Sequence, residues 1–150
     1  MPIMDLTYPQ GALDADARGA LTEQLTTILL RAERAPDTEF FRNVTWLYVH
    51  ELPAEHVVAA GRPVPAPTFR LLVTTPEGAL SDRRRRELVA EATTAIREAA
   101  GIPEAEALRV WVLCREIDEG SWGAGGQVIS FQALREAAAA EREQAAPTAA

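Results

Sequence analysis

Residues 9–14 read PQGALD, and residues 76–81 read PEGALS. The similarity continues along the chain, because Leu21 follows the first hexapeptide at the same spacing as Leu88 follows the second. Self-similarity at a long, fixed spacing indicates that one structural unit is repeated. The chain is therefore expected to contain the same unit twice.

Later positions match in the same way after a small difference in length. The matched pairs are Pro36 with Pro103, Trp46 with Trp111, Glu51 with Glu116 and Gly61 with Gly126. We expect a single domain over residues 1–131, with a first unit at 2–62, a linker at 63–67 stiffened by its prolines, and a second unit at 68–131. Residues 132–150 are rich in Ala and Glu and predict a C-terminal helix that ends in a frayed tail.

Both units have the pattern of a β-α-β motif. Residues alternate between apolar and polar over 2–8 and 69–75, and second strands are predicted at 44–49 and 108–114. Such a unit pairs its two strands in parallel through a right-handed crossover. The predicted fold class is α+β, with a four-stranded mixed sheet and two helices on one face.

The two crossover helices have recognisable starts and apolar stripes. Asp14 and Ser81 are suitable N-cap residues. The predicted buried stripes are Leu21, Leu25, Ile28 and Leu29 in the first helix and Leu88, Val89, Ala92 and Ile96 in the second. The opposite face of the sheet would remain uncovered, and association of several copies would cover it.

Composition excludes several classes of protein. The net charge of -7 argues against a surface for nucleic acid, which needs clustered positive charge. Cys114 is the only cysteine, so neither a disulfide framework nor a thiolate metal cage is expected, and a reducing cytoplasm fits. No membrane span or signal peptide is predicted. His50 and His56 lack a third ligand at a recognisable spacing, so no metal is expected.

The start of the chain and the end of the second unit resemble the tautomerase superfamily. The chain begins Met-Pro-Ile, and residues 116–126 read EIDEGSWGAGG. The doubled length resembles the fused branch of the superfamily, which includes cis-3-chloroacrylic acid dehalogenase and is related to 4-oxalocrotonate tautomerase (4-OT). The resemblance implies removal of Met1, so that Pro2 becomes an N-terminal secondary amine. An α-amino group titrates near neutral pH, and burial lowers its pKa further, so that it can act as a base.

The resemblance also implies that the two units differ in role. Phe69 stands where Pro2 stands in the first unit, and an internal residue offers no free amine. Trp122 precedes the glycine-rich segment, where the family places an aromatic wall of the substrate pocket, whereas the first unit has Val57. One active site per chain, at Pro2, is therefore expected.

Several family residues are missing. The arginine that holds a substrate carboxylate after the first turn is replaced by Ala12 and Ala79, and the arginine of the second strand by Trp46 and Trp111. The further parts used by the fused dehalogenase fall on Leu29, Pro76, Leu113 and Ala124.

Substitutes for the missing arginines are present in the second unit. Arg109 and Arg115 flank Trp111 and are predicted to share its strand face, so they are candidate substrate-binding residues. They could equally be charged strand ends that reach solvent. Arg83, in the first turn of the second helix, is a more remote candidate.

The function expected from the resemblance is cofactor-independent keto-enol isomerisation of a small enolisable acid or ketone, with Pro2 as general base and acid. One alternative is hydration, dehalogenation or decarboxylation of a small unsaturated or 3-oxo acid by the same amine. Another is a non-catalytic oligomeric scaffold. The expected partners are a small-molecule substrate and two further copies of the chain in a homotrimer.

Overall fold

A computed structural model describes residues 2–145 of the chain. In the first unit, the elements are β1 (Ile3–Pro9), α1 (Ala15–Glu33), α2 (Glu39–Asn43), β2 (Trp46–Leu52), β3 (Val58–Ala59) and β4 (Arg62–Pro63). In the second unit and beyond, they are β5 (Phe69–Pro76), α3 (Asp82–Ala99), β6 (Val110–Ile117), β7 (Gly123–Ala124), β8 (Gln127–Val128) and α4 (Phe131–Ala145). Short 3-10 turns occupy Ala54–His56 and Glu104–Arg109.

The four long strands form one mixed sheet in the order β2-β1-β5-β6. Within each unit the two strands are parallel, and the units meet through the antiparallel pair of β1 and β5, in which Ile3 lies opposite Thr74. The predicted fold class is confirmed. This arrangement places the start of β1 beside the end of β5, so both units contribute to that end of the sheet.

Helices α1 and α3 pack side by side on one face of the sheet. Asp14 caps α1 by accepting a hydrogen bond from the Ala17 amide at 2.7 Å, and Ser81 caps α3 by accepting from the Arg84 amide at 3.4 Å. The core between helices and sheet is apolar, as the predicted stripes require. It includes Met4, Leu6 and Tyr8 of β1, Leu21, Leu25 and Leu29 of α1, Leu71 and Val73 of β5, and Leu88, Ala92 and Ile96 of α3.

The second strand of each unit begins later than the sequence predicts. Strand β2 starts at Trp46 rather than at residue 44, and β6 starts at Val110 rather than at residue 108. The reason is a helical segment immediately before each strand, namely α2 in the first unit and a 3-10 turn in the second. Both strands also run three residues further than predicted, to Leu52 and Ile117.

Each unit ends in a short hairpin with a two-residue turn. Ala60 and Gly61 connect β3 to β4, and Gly125 and Gly126 connect β7 to β8, all with positive φ. Two consecutive residues with positive φ are typical of type I′ turns, which favour glycine. Pro63 pairs with Val58 in the first hairpin, so the expected linker at 63–67 begins inside a paired strand.

The face of the sheet opposite α1 and α3 carries large exposed side chains. Trp46, Tyr48, Trp111 and Leu113 expose between 45% and 63% of their surface. They occupy alternate positions of the two outer strands, so they point away from the core. Large exposed apolar side chains of this kind are typical of an interaction surface.

The predicted C-terminal helix is present as α4, and residues 146–150 of the expected frayed tail lie outside the described residues. Ser130 caps the helix by accepting from the Ala133 amide at 3.1 Å. Ala138 of α4 packs in a second small core with Leu30 and Phe41. Among residues 2–145, none of the helices combines the length and apolar character that a membrane span requires.

Candidate active site

Pro2 is buried at the start of β1. Its carbonyl oxygen accepts a hydrogen bond from the Trp46 amide at 3.3 Å. The register of β1 and β5 pairs Ile3 with Thr74, so the next step places Pro2 beside Thr75, whose side chain is only 2% exposed. The sheet therefore holds this residue in a dry environment.

A cavity of about 1120 Å³ lies at the same end of the sheet. Helix α1 runs antiparallel to β1, as a right-handed crossover requires, and so ends near the start of that strand. The turn after β5 reaches the same place. The cavity is lined by the end of α1, the turn at Pro76, Gly78 and Ala79, the first turn of α3, and one face of α4.

Helix α4 forms the outer wall of this cavity. Phe131, Leu134 and Ala138 line it, and the Phe131 ring lies 4.0 Å from the place that a methyl group on Gly78 would occupy. The carboxylate of Glu119 accepts a hydrogen bond from the Phe131 amide at 3.0 Å and anchors the start of the helix. Arg142 donates to the carbonyl oxygen of Arg34 near the other end.

The charged lining of the cavity is mixed, with four arginines and three glutamates. The positively charged residues of the lining are Arg34, Arg84, Arg135 and Arg142, and the negatively charged ones are Glu33, Glu119 and Glu136. Ala79, where the family places its carboxylate-binding arginine, also lines the cavity. No guanidinium is present at this position, but arginines from other elements line the same cavity.

Arg84 is held in place by the protein backbone. Its Nη1 donates to the Ala32 carbonyl oxygen at 2.9 Å, which fixes it beside the end of α1. Arg83, the remote candidate from the sequence, instead pairs with Glu87 at 2.6 Å on the exposed side of α3. The structure therefore favours Arg84 over Arg83 as the cation near the cavity.

Glu33 is the last residue of α1 and lines the cavity. Burial raises the pKa of its carboxyl to about 7, and positive charges nearby, Arg84 among them, act against this shift. A carboxyl with a pKa near neutrality can give or take a proton at working pH.

The sequence-predicted residues of the second unit are divided between the two ends of the sheet. Arg109 and Trp111 line a second cavity of about 420 Å³ at the opposite end of the sheet. Arg109 lies just before β6, donating to the Pro67 carbonyl at 2.9 Å and pairing with Glu106 at 2.6 Å. Arg115 lies six residues further, about 20 Å along the strand, and donates to Thr74 Oγ1 at 3.3 Å. The two arginines therefore do not flank one site.

Trp122 is partly buried at the start of the second hairpin. Its carbonyl oxygen accepts from the Ile129 amide at 2.8 Å, which closes the segment that contains β7 and β8. Among the described residues, neither Trp122 nor Pro2 belongs to the lining of the 1120 Å³ cavity, which lies at the same end of the sheet as Pro2.

The second cavity corresponds to the position of Pro2 in the repeated unit. Phe69 and Val57, the counterparts of Pro2 and Trp122, both line it. In residues 2–145, no group of three or more His, Cys, Asp or Glu side chains is placed to hold a metal ion.

Sequence reasoning missed Glu33 and Arg84. Leu25, Leu29 and Glu33 are spaced four residues apart, so Glu33 lies on the buried stripe of the helix. A charged residue on such a stripe indicates a candidate site residue. Arg84 belongs to a run of four arginines, and nothing in that run distinguishes it locally.

Comparison with known proteins agrees with the fold. Residues 71–132 match the family described as Tautomerase enzyme. The protein Pt0534, solved after inactivation by 2-oxo-3-pentynoate, is 24% identical, with 88% of this chain and 98% of that chain covered and a TM-score of 0.72. A wild-type fused 4-OT, solved as an asymmetric trimer, is 22% identical over 88% of this chain and 98% of that chain, with a TM-score of 0.71.

One similar structure also covers α4. It is a member of the cis-3-chloroacrylic acid dehalogenase family, 19% identical over 98% of this chain and 92% of that chain, with a TM-score of 0.72. No curated protein sequence matches the chain significantly. The predicted resemblance to the tautomerase superfamily is confirmed by the family match of the second unit, and the resemblance to the fused branch is confirmed at the level of the fold.

Proposed function

We propose, from the tautomerase fold of the chain and the family match of its second unit, that the protein is a cofactor-independent tautomerase with Pro2 as its general base and acid. The substrate would be a small enolisable acid or ketone. The observation that carries the proposal is the burial of Pro2 at the start of β1, at the end of the sheet where a cavity of about 1120 Å³ lies.

The chemistry follows from what a terminal proline offers. After removal of Met1, Pro2 would be a secondary amine with a normal pKa of about 7.7 to 8.0, as for other α-amino groups. Burial disfavours the ammonium form and lowers that value. The neutral amine can then take a proton from one position of the substrate, and the ammonium can return it to another.

The four arginines of the cavity lining include one that is placed to bind an anionic substrate. Arg84 is fixed by its bond to the Ala32 carbonyl and faces the region from which the family arginine at Ala79 is missing. A guanidinium binds a carboxylate through charge-assisted, often bidentate, hydrogen bonds. We therefore infer that Arg84 takes over the carboxylate-binding role, while Trp122, Arg109, Arg115 and Trp111 remain further candidates.

We further propose that the chain assembles as a homotrimer. The exposed side chains Trp46, Tyr48, Trp111 and Leu113 leave one face of the sheet uncovered. Similar fused 4-OT structures are trimers, and such assembly would bury this face. Because Cys114 is the only cysteine, we keep the cytoplasm as the proposed location.

Hydration, dehalogenation or decarboxylation by the same amine is the second candidate. The similarity to a cis-3-chloroacrylic acid dehalogenase family member over nearly the whole chain favours it. However, Leu29, Leu113 and Ala124 stand where the dehalogenase has catalytic side chains. A panel of enols, unsaturated acids and 3-oxo acids separates these reactions by their products.

The test compares wild type, Pro2→Ala and the control Pro103→Ala with phenylenolpyruvate as substrate. Intact mass should show that mature wild type begins at Pro2. Ketonisation should collapse in Pro2→Ala and persist in Pro103→Ala, whose proline is exposed and distant. Retention of Met1, or full activity of Pro2→Ala, would show that the proline mechanism is wrong.

A further inference from the structure

We propose that Glu33 is a second proton-transfer residue of the cavity, which protonates the substrate carbon while the Pro2 amine removes the proton from the enol oxygen. This inference rests on the proposed function: it keeps Pro2 as the base and assigns the protonation of the substrate carbon to Glu33 instead of to the Pro2 ammonium. A single amine would have to move between two substrate atoms, whereas two groups can each face one of them.

The position of Glu33 follows from the topology. The residue ends α1, and the next residue, Arg34, turns the chain with a left-handed φ of 58°. The right-handed crossover brings this end of α1 to the start of β1, where Pro2 is buried. Glu33 thus comes from the helix layer and Pro2 from the sheet, and both lie at the same end of the fold.

Charged residues from several elements line the cavity together with Glu33. Arg84 is contributed by α3, and Glu119 by the loop after β6. The remaining charged groups that face the cavity are Arg34 and, on α4, Arg135, Glu136 and Arg142. Burial raises the pKa of Glu33 to about 7, although nearby positive charge, Arg84 included, acts against this shift, so its protonated form is available at neutral pH.

The reaction balances without a further reagent. The neutral amine of Pro2 takes the hydroxyl proton of the enol, and the O–H electron pair forms the C=O bond. The C=C electron pair then takes the proton of the Glu33 carboxyl, which leaves a carboxylate and a ketone. After product release, the Pro2 ammonium returns its proton to the Glu33 carboxylate, directly or through water, and both groups are restored.

The experiment measures pH–rate profiles of wild type, Glu33→Gln and Glu98→Gln with phenylenolpyruvate. Glu98 is an exposed glutamate at the end of α3 that lies away from this cavity. Wild type should give a bell-shaped profile, because the active form needs a neutral Pro2 amine and a protonated Glu33 carboxyl. The rate should fall at low pH as Pro2 is protonated, and at high pH as Glu33 ionises. Glu33→Gln should lower kcat about 100-fold, change KM little, and lose the fall in rate above pH 7.

Two outcomes would overturn the inference. One is a Glu33→Gln enzyme whose kcat and pH profile equal those of wild type and Glu98→Gln. The other is a loss of rate in Glu33→Gln with an unchanged pH profile, which would indicate a structural role. Circular dichroism and thermal unfolding check that the variant folds. If Pro2→Ala remains active, the proposed function fails, whereas an inactive Pro2→Ala with a wild-type-like Glu33→Gln rejects the role of Glu33 alone.

Discussion

The rings of Phe69 and Tyr8 stack with their centroids 5.4 Å apart and their planes inclined by 26°. Phe69 is the counterpart of Pro2 in the second unit, so the position of the proposed base is occupied there by a packed aromatic ring. Both side chains are at most 2% exposed. The two units therefore share one backbone arrangement, but the first residue of β5 is a side chain of the core.

We predict one reactive amine per chain as a consequence. An electrophile such as 2-oxo-3-pentynoate should add once, at Pro2, and abolish activity. Intact mass gives the number of adducts, and peptide mapping gives their position. Pro2→Ala, whose terminal amine is primary and lacks the ring, should be labelled more slowly. Two adducts per chain, or inactivation by labelling elsewhere, would contradict a single site.

Arg84→Ala should weaken binding of carboxylate substrates. Removal of a charge-assisted hydrogen bond costs about 1.5 to 3 kcal/mol, which corresponds to an increase in KM of roughly tenfold to a hundredfold. Arg83→Ala is the matched control, because Arg83 is adjacent in sequence but pairs with Glu87 outside the cavity. Steady-state kinetics with an enolisable acid and with an uncharged ketone test the assignment. An equal effect on both substrates would argue against carboxylate binding by Arg84.

Trp111→Asp should weaken assembly. Trp111 is 63% exposed in the single chain, and burial of such a side chain in a trimer contributes about 2 kcal/mol or more per contact. The carboxylate would in addition be desolvated. Light scattering on dilute protein should show a trimer for wild type and for the control Trp111→Phe, and smaller species for Trp111→Asp. A monomeric, fully active wild type would reject the trimer.

Stability should fall as Glu33 ionises. Because the pKa of Glu33 is about 7 in the folded chain and 4.5 in its ordinary environment, the folded state binds more protons between these values. The unfolding free energy must then decrease as pH rises through this window. Urea unfolding at pH 4.5, 6 and 7.5 should show a smaller decrease in Glu33→Gln than in wild type. Parallel curves for the two proteins would show that Glu33 has an ordinary pKa.

Tyr8→Phe should destabilise the fold without affecting the cavity. The buried hydroxyl donates to Glu51 Oε1 at 2.8 Å, and its loss should cost about 1 to 2 kcal/mol. Burial, followed by the bond to Glu51, raises the pKa of Tyr8 to about 12, so the stability it provides is lost between pH 10 and 12. Absorbance titration should show a late phenolate transition that disappears in Tyr8→Phe and remains in the exposed-site control Tyr48→Phe.

The fold could be predicted because its signals are local. Alternation in 2–8 and 69–75 specifies strands, and the N-caps Asp14 and Ser81 specify helix starts. The starts of the second strands were missed because a helix of five residues, such as α2, is too short to show a period. Its start depends on one weak cap, in which the Thr38 hydroxyl accepts from the Phe41 amide at 3.4 Å.

The site was less predictable, because its parts come from different units. Pro2 was identified from a resemblance that depends on sequence position. Glu33 and Arg84 are 51 positions apart in the printed sequence and become neighbours only because α1 packs against α3. The positions of Arg109 and Arg115 were predicted from strand period alone, but Arg109 precedes the strand and Arg115 lies at its far end.

The attachment of α4 determines how tightly the cavity can be covered. Only two residues separate β8 from α4, so the helix is held at the cavity with an effective concentration in the millimolar range. Its apolar contacts are few, with Phe131, Leu134 and Ala138 as the main ones, and a separate peptide with the same sequence would lack this effective concentration. A cut at Ser130 would therefore expose the cavity at ordinary protein concentrations, although every contact of the helix would still be possible.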